Sequence, residues 1–396
     1  MGLPRIRPTE PMISARPSLL EWSAETSRAT DIDSFVRQHA DTVAYYGSGK
    51  AGLYDGLVTL LRAAAAETGT FGGQKNVVLP AYLPDAVVEP IVDCGLEPRL
   101  YAITDDLTPD FDDLETRIDD GTLAIMSVNY FGFPQPGLEE VSALAARHGC
   151  YHIDDNAHGA LSFDGDQLLG TRGDIGFTSL WKLLPIPDGA LLYLSNPIVA
   201  DHFEASALAG VEDGVHADDL QFVIKSLATG LLDTNRTLKE SVHRLVANNG
   251  LARPATDPRR RYESSKAPMS RLSAYLVREA DPIEIRSTRR SNYRAWASLF
   301  ENRPDVDLVF GTLPTGVCPQ VCPVRTDHPA QLRRLLEDYG VDGTHTWPRL
   351  SADVLENPDY RTAQRLASEV VVLPVHQHID PRTILGVANA IDRRIG

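Results

Sequence analysis

One lysine of this chain stands in a setting that suits covalent chemistry. Lys182 ends the segment Phe177-Thr-Ser-Leu-Trp-Lys182 and is followed by the apolar run Leu-Leu-Pro. It is one of six lysines, and most lysines are solvated surface charges. Upstream, Asp155 closes the segment His152-Ile-Asp-Asp155. An amine can form a Schiff base with an aldehyde cofactor, and a carboxylate can keep that cofactor's ring nitrogen protonated. These are the two groups that pyridoxal phosphate (PLP) requires of a protein.

A glycine-rich turn upstream could hold a phosphate group. Gly47-x-Gly49-x-x-Gly52 follows a strand-like segment and precedes the apolar, alanine-rich helix predicted over Leu53–Ala66. A nicotinamide site is disfavoured because no acid ends the next strand, and a P-loop is disfavoured because Ala51 stands where Ser or Thr is required. Two interpretations remain: a helix N-terminus that presents N–H groups to a phosphate, and a plain strand-to-helix connection.

The cluster His152-x-Asp154-Asp155-x-x-His158 has three interpretations. Imidazole and carboxylate groups suit a divalent cation, so His152, Asp154 and His158 could serve a metal-dependent hydrolase. The acids could also be turn or capping residues. In an extended strand, however, His152 and Asp154 point to one face and Asp155 to the other. Because ligands bind at the carboxyl ends of strands in open α/β sheets, we favour a cofactor contact and predict no metal.

Strand-like and helix-like segments alternate over most of the chain. Strands are predicted at Thr42–Tyr46, Asn76–Leu79, Leu123–Val128, Cys150–Ile153, Asp174–Ser179, Ala190–Leu194, Val317–Val324 and Val370–Pro374. Helices are predicted at Ile32–Gln38, Leu53–Ala66, Ala86–Asp93, Leu138–His148, Ser270–Glu279, Ile283–Leu299, Ala330–Tyr339 and Pro381–Ile395. This alternation is typical of a mainly parallel sheet with helices on both faces.

These segments predict an α/β fold with three parts. Residues 1–30 form an N-terminal arm, residues 31–265 a large domain and residues 266–396 a smaller α+β domain. A short helix is expected in the arm near Leu19–Glu25. The segment Asp257–Lys266 is predicted to be a loop, because it is charged and flanked by prolines.

Composition excludes several classes of function. The net charge of −16 repels nucleic acid phosphates, and no apolar stretch is long enough for a membrane span. The first residues have no apolar region behind their charges, so they are not expected to be a secretory signal. The four cysteines (94, 150, 318 and 322) are scattered, which favours a reducing cytoplasm.

The order of these motifs resembles the DegT/DnrJ/StrS family of fold-type I PLP-dependent aminotransferases, from about Tyr45 to the C-terminus. Ser48-Gly-Lys-Ala-Gly-Leu53 is similar to the family's phosphate-binding turn, Ser-Gly-Thr-Ala-Ala-Leu. Val78-Leu-Pro-Ala-Tyr82 resembles the next strand and the loop that covers the cofactor ring. Asn129-Tyr-Phe-Gly-Phe-Pro134 is similar to the family's His-Leu-Phe-Gly-Gln-Pro. Ile153-Asp-Asp-Asn-Ala-His158 resembles Ile-Glu-Asp-Ala-Ala-Gln/His.

The resemblance implies a role for each motif. Lys182 would form the Schiff base, Asp155 would pair with the pyridine nitrogen and His158 would lie near the ring hydroxyl. Expected cofactor contacts are Ser48, Gly49, Lys50, Tyr82, Asp155, His158, Thr178, Ser179 and Lys182.

Three positions depart from the family pattern. Phe177 stands where the family often has its phosphate-binding serine, so Thr178 or Ser179 must serve. Lys50 replaces the threonine of the glycine turn, and Met269 replaces an asparagine that reaches a partner subunit.

The resemblance also implies the activity. The chain would be a PLP-dependent aminotransferase that acts with an amino acid donor, glutamate, and a keto acceptor, a nucleotide-linked keto sugar. It would work as a cytoplasmic homodimer with active sites between subunits. An alternative is a family member that binds PLP without transamination. Side chains considered for substrate contact are Tyr82, His345, Trp347, Arg349 and His376.

Overall fold

A computed structural model describes residues 13–19, 30–69, 73–233, 258–301 and 303–395. Its main feature is a sheet of seven strands. In spatial order these are β1 (Val43–Tyr46), β9 (Ala190–Leu194), β8 (Ile175–Ser179), β5 (Tyr151–Asp155), β4 (Thr122–Val128), β2 (Asn76–Pro80) and β3 (Glu97–Tyr101). Strand β9 runs antiparallel to both neighbours, and every other pairing in this sheet is parallel. The predicted α/β fold with a mainly parallel sheet is confirmed.

A second sheet of four antiparallel strands lies in the C-terminal part of the chain. Its spatial order is β10 (Asp307–Leu308), β11 (Val321–Arg325), β13 (Val370–Pro374) and β12 (His345–Thr346). The strands β6 (Phe163–Asp164) and β7 (Gln167–Leu168) form a small hairpin. The sequence boundaries proposed for the arm and the two domains stay a prediction.

Helices connect and cover the strands. They are α1 (Ile32–Arg37), α2 (Gly49–Thr68), α3 (Glu89–Asp93), α4 (Phe111–Thr116), α5 (Leu138–His148), α6 (Pro197–Ala200), α7 (Ala217–Asp233), α8 (Pro258–Ser265), α9 (Arg271–Glu279), α10 (Pro282–Phe300), α11 (Pro329–Asp338), α12 (Ala352–Glu356), α13 (Arg361–Glu369) and α14 (Pro381–Ile395). Single 3₁₀ turns occur at Asp85–Val87, Tyr130–Gly132, Leu180–Lys182 and Pro358–Tyr360.

Apolar strands fix the centre of the large sheet. Every residue of β2, β4, β8 and β9 is buried, as expected for strands covered on both faces. Helix α2 packs against β8 and β9 and begins directly after Ser48, whose side chain caps its N-terminus. The start of this helix therefore has a fixed position beside the carboxyl end of β8.

The structure differs from the sequence prediction at one segment with consequences for the site. The predicted loop at Asp257–Lys266 is wrong, since α8 occupies Pro258–Ser265. Proline is well placed at the first position of a helix, where no N–H bond is needed, and the following arginines are good helix formers. The helix expected near Leu19–Glu25 falls largely outside the described residues.

The loop at Gly170 crosses directly over Gly176 of β8, so there is no space for a side chain at position 176. A Cβ atom on Gly176 would lie 1.9 Å from the carbonyl oxygen of Gly170 and 2.8 Å from that of Asp154. Both neighbours are backbone atoms, so neither can move cheaply. We expect Gly176→Ala to lower the free energy of unfolding by about 3 kcal/mol.

Thermal or denaturant unfolding of the variant measures this loss. The matched control is Gly386→Ala in α14, where the added Cβ would meet no heavy atom within 4 Å. That control should be neutral or slightly stabilising because alanine favours helix more than glycine does. Equal stability of the Gly176 variant and wild type would contradict the prediction.

Candidate active site

A cavity of about 900 Å³ opens at the carboxyl ends of the parallel strands. This is the edge of an open α/β sheet at which ligands bind. The cavity wall includes most of the side chains singled out in the sequence: Ser48, Gly49, Lys50, Asp155, His158, Ser179 and Lys182.

Asp155 and Lys182 lie together in this cavity. Asp155 ends β5, and Lys182 ends the 3₁₀ turn that follows β8, where the Leu180 N–H donates to the Gly189 carbonyl. Burial raises the pKa of Asp155 to about 6, although the Ala157 N–H at 2.8 Å and the Lys182 charge oppose that rise. Burial lowers the pKa of Lys182 to about 8, against the opposing attraction of Asp155. The cavity therefore brings an acid and an amine within electrostatic reach and moves both pKa values toward neutrality.

The start of α2 has the geometry to bind an anion. Ser48 Oγ accepts a hydrogen bond from the Ala51 N–H at 3.1 Å and donates to the Ser265 carbonyl at 2.8 Å. The first N–H groups of a helix have no carbonyl partner within the helix, and they favour an anion. A Cβ on Gly49 would lie 2.8 Å from Ser179 Oγ, so only glycine leaves room for that hydroxyl beside the helix start.

Lys50 adds a positive charge beside this turn, although its amine is already paired. The Lys50 Nζ lies 2.6 Å from Glu89 Oε2, and both side chains are partly buried. Lys50 therefore contributes to the cavity wall as one half of an ion pair.

His158 has a defined protonation pattern. Its Nδ1 accepts a hydrogen bond from the Phe131 N–H at 3.1 Å, and its ring stacks on the Phe131 ring with centroids 5.9 Å apart. Burial and the nearby Lys182 charge hold the pKa of His158 well below its usual range, so the ring is neutral. Because Nδ1 accepts, Nε2 carries the proton and can donate to a ligand.

Two expected cofactor contacts have side chains that do not line the cavity. The Thr178 hydroxyl donates to the Asn156 carbonyl at 2.8 Å, because along β8 it alternates with the cavity-facing Phe177 and Ser179. The Tyr82 hydroxyl donates to the Trp347 carbonyl at 2.7 Å, and the Tyr82 side chain is fully buried. Direct contact of either with a bound cofactor is not expected. Tyr82 instead supports Trp347, which does line the cavity.

His152 is held in the sheet by two serines. Its Nε2 lies 2.8 Å from Ser127 Oγ and its Nδ1 lies 2.9 Å from Ser142 Oγ. Burial lowers the pKa of His152 to about 4. Both ring nitrogens are therefore engaged, which argues against the metal-ligand interpretation. No group of three or more His, Cys, Asp or Glu side chains suits a metal ion anywhere in the described residues.

Asp154 is a buried structural acid. Its Oδ1 accepts from Asn129 Nδ2 at 2.7 Å, and its Oδ2 accepts from the Gly170 N–H at 2.8 Å and the Arg172 N–H at 3.3 Å. Its neighbour Asp155 points to the opposite face, into the cavity. Asp154 therefore holds neighbouring segments together through hydrogen bonds, whereas Asp155 is available to a ligand in the cavity.

Several cavity residues were not identified as site residues from sequence. Arg16 and Trp181 line the wall, as do Ala267 and Pro268, which follow α8. The Gly47 N–H donates to the Ala267 carbonyl at 2.8 Å, so this distant segment closes the glycine turn. Backbone contacts between distant segments leave no motif, and the sequence offered no signal for them.

Of the five side chains considered for substrate contact, Trp347 lies in the cavity wall. His345 and Arg349 are exposed outside it. His376 is buried, and its Nε2 lies 3.0 Å from the Ser14 carbonyl of the N-terminal arm.

The carbonyl that follows Lys182 is held by the C-terminal part of the chain. Arg289 Nη2 donates to the Leu183 carbonyl at 2.9 Å, and Gln377 Nε2 donates to the same oxygen at 3.1 Å. Arg289 is fully buried, and burial lowers its pKa to about 10. The turn that carries Lys182 is therefore fixed from two sides, by β8 and by these two side chains.

The raised pKa of Asp155 predicts a pH dependence of stability in the protein without bound small molecules. Between its ordinary pKa of 3.8 and the folded value of about 6, the folded carboxyl keeps a proton that the unfolded chain releases. The free energy of unfolding should therefore fall across this interval as pH rises, by about 3 kcal/mol. Asp155→Asn should reduce this slope in pH-dependent unfolding measurements, and the remainder comes from other carboxyls whose pKa burial raises, Asp154 and Asp188.

Asp154→Asn serves as the contrast. It removes a charged acceptor from the N–H groups of Gly170 and Arg172, so we expect lower stability at neutral pH. Burial also raises the pKa of Asp154, so this variant loses its own part of the slope as well. An unchanged slope in the Asp155 variant would contradict the assignment of that titration.

Comparison with known proteins agrees with this geometry. The structure is similar to the sugar aminotransferase CalS13 from Micromonospora echinospora (19% identity, TM-score 0.63, covering 91% of this chain and 90% of that one). It is similar to Helicobacter pylori PseC, an aminotransferase involved in pseudoaminic acid biosynthesis (14% identity, TM-score 0.62, covering 97% and 99%). It is also similar to DesI, solved in the presence of its TDP-sugar product (17% identity, TM-score 0.60, covering 92% and 83%). The model of the DegT/DnrJ/EryC1/StrS aminotransferase family matches residues 54–392, so the chain belongs to this family of PLP-dependent enzymes.

Proposed function

We propose that this aminotransferase moves the amino group of an amino acid, glutamate, onto the keto group of a nucleotide-linked sugar. The observation that carries the proposal is the Asp155–Lys182 pair at the floor of a cavity that also contains an anion-binding turn. The cavity's volume of about 900 Å³ is at the large end of the range for small-molecule sites, as a sugar nucleotide would require.

The residues in the cavity fit PLP. The start of α2 with Ser48, Gly49 and Ser179 would hold the phosphate, because helix N–H groups and a hydroxyl converge there. Asp155 would bind the ring nitrogen and His158 Nε2 would donate to the ring hydroxyl. When bound, PLP stabilises negative charge that develops on the substrate carbon.

Lys182 would transfer the proton in the reaction. Its pKa of about 8 leaves a substantial fraction of neutral amine near pH 7 to 8, which suits a general base. The hydrogen bonds of Arg289 and Gln377 to the next carbonyl limit movement of this turn. Asp155 would keep the ring nitrogen of bound PLP protonated by short-range attraction.

The nucleotide-linked acceptor is supported by the described relatives. CalS13 is a sugar aminotransferase, and DesI has a TDP-sugar as its product. A family member that only binds PLP would carry the same cofactor contacts but would not exchange amino groups. Spectra of the purified protein with and without an amino donor separate the two possibilities.

We expect Lys182→Ala to abolish turnover with glutamate and a nucleotide-linked keto sugar, by at least about 1,000-fold, because the variant lacks both the covalent attachment point and the general base. Product formation is followed by mass spectrometry. In wild type, borohydride reduction should attach PLP to the peptide that contains Lys182.

Lys75→Ala is a suitable control, because that lysine lies outside the cavity wall. The proposal would be refuted by a Lys182 variant with full activity, or by wild-type protein that carries PLP whose spectrum no amino acid alters.

We further propose that the chain forms a homodimer through α7. Leu220, Ile224 and Leu227 are exposed along one face of this helix, at a spacing typical of a buried apolar stripe. Asp218 and Asp219 on the same helix line the cavity, so a partner on α7 would lie beside the active site.

Ile224→Arg should therefore convert the dimer to monomer in sedimentation velocity experiments, since a charge on the apolar stripe would be costly to bury. Ile198→Arg is the matched control, because Ile198 is similarly exposed but lies on α6. A wild-type protein that is a fully active monomer would exclude this proposal.

We infer a cytoplasmic location from the cysteines. All four are free thiols, as a reducing compartment maintains them. No helix in the described ranges is long and apolar enough to cross a membrane.

A further inference from the structure

The described part of the N-terminal arm, residues 13–19, is fixed against the C-terminal part of the chain. The Ile13 N–H donates to the Gly340 carbonyl at 3.0 Å, and the Ile13 carbonyl accepts from the Asp342 N–H at 2.8 Å. Ile13 is almost fully buried. Farther along, the Ser18 N–H donates to His378 Nδ1 at 3.1 Å. The arm is therefore held on both sides of Arg16.

This arm places a guanidinium group beside the reacting lysine. Arg16 lines the cavity, and its Cζ lies 5.3 Å from the centroid of the Trp181 ring. Lys182 Nζ lies 6.0 Å from the same centroid. The guanidinium carbon and the lysine amine are consequently no more than 11.3 Å apart. A substrate that reacts at Lys182 with an anionic group a few ångströms away could reach Arg16.

The charges around the cavity make the Arg16 guanidinium important for binding an anionic substrate. Its wall carries four acids besides Asp155, namely Asp188, Glu212, Asp218 and Asp219. An anionic substrate would be repelled unless a cation were available to bind it. Lys50 is paired with Glu89, and Lys182 is the reacting amine. Within the described residues, Arg16 lines the wall and has no carboxylate at ion-pair distance.

We propose that Arg16 is a specificity-determining residue that binds the anionic oxygen group of a substrate in this cavity. The inference rests on the proposed function, which requires an amino acid carboxylate and a nucleotide diphosphate to enter the same site in turn. A guanidinium forms paired hydrogen bonds with either group, and its stacking on Trp181 orients it before binding. The donor's carboxylate and the acceptor's phosphate offer the same anionic oxygens to Arg16, and they enter the cavity in separate half-reactions.

The test measures those half-reactions separately in the holoenzyme. Glutamate alone drives the first in the PLP-loaded enzyme. A nucleotide-linked keto sugar alone drives the second in enzyme that has been converted to its pyridoxamine phosphate form with glutamate and then separated from it, and each step is followed by the absorbance of the bound cofactor. The variants are Arg16→Gln, which removes the charge, and Arg16→Lys, which keeps the charge but loses the paired geometry. The matched control is Arg37→Gln, because Arg37 also lies over an aromatic ring, Tyr45 at 5.8 Å, but outside the cavity wall.

We expect Arg16→Gln to raise the substrate concentration needed for half-saturation by about 10- to 100-fold in one half-reaction. Arg16→Lys should have an intermediate effect, and Arg37→Gln should have none. Weakening with glutamate identifies the donor carboxylate as the bound group, and weakening with the keto sugar identifies the phosphate. Less than a twofold change in both half-reactions would overturn the inference and leave the proposed function intact.

A binding measurement separates failure of this inference from failure of the proposed function. Glutarate is an unreactive dicarboxylate of the donor's length, and calorimetry reports its affinity without turnover. If wild type responds to no amino acid, the proposed function fails. In that case, equal glutarate affinities in wild type and Arg16→Gln would overturn the role of Arg16, whereas a loss of at least about tenfold would support it.

Discussion

The geometry of the site depends on one buried carboxylate that does not face the cavity. Asp154 joins β5 to the Gly170 loop and to Asn129 after β4 through three hydrogen bonds. A buried carboxylate without such partners would be strongly destabilising, so these segments must stay together in the folded chain. Because side chains alternate along a strand, fixing Asp154 on one face directs Asp155 to the other. Asp154 thus determines that the Asp155 side chain faces the cavity.

Local patterns predicted most of the large sheet and the centre of the site. Apolar runs identified β2, β4, β8 and β9, because strands covered on both faces carry few polar residues. Asp155 and Lys182 could be predicted because Asp155 ends β5 and Lys182 follows β8, at the edge of the sheet where ligands bind. The glycine turn was visible because it joins a strand to a helix.

What could not be predicted depends on contacts between distant segments. Thr178 and Tyr82 have suitable side chains, but strand alternation and the bond to Trp347 turn their hydroxyls from the cavity. Arg16 lies in a segment with no periodicity, and its position follows from backbone hydrogen bonds to residues near Val341. The composition of Asp257–Lys266 predicted a loop, but this charged segment forms the helix α8, which begins with a proline.

The pairing of Ile13 with Val341 has a consequence for the order of folding. These residues are far apart along the chain. Closing so long a loop has an entropic cost that other contacts must offset first. During synthesis, the large sheet can form while the partner of Ile13 has not yet been made. Residues 13–19, which are made before Val341, are then among the last to reach their final position. The wall of the cavity that contains Arg16 would accordingly be completed only after the C-terminal sheet has folded.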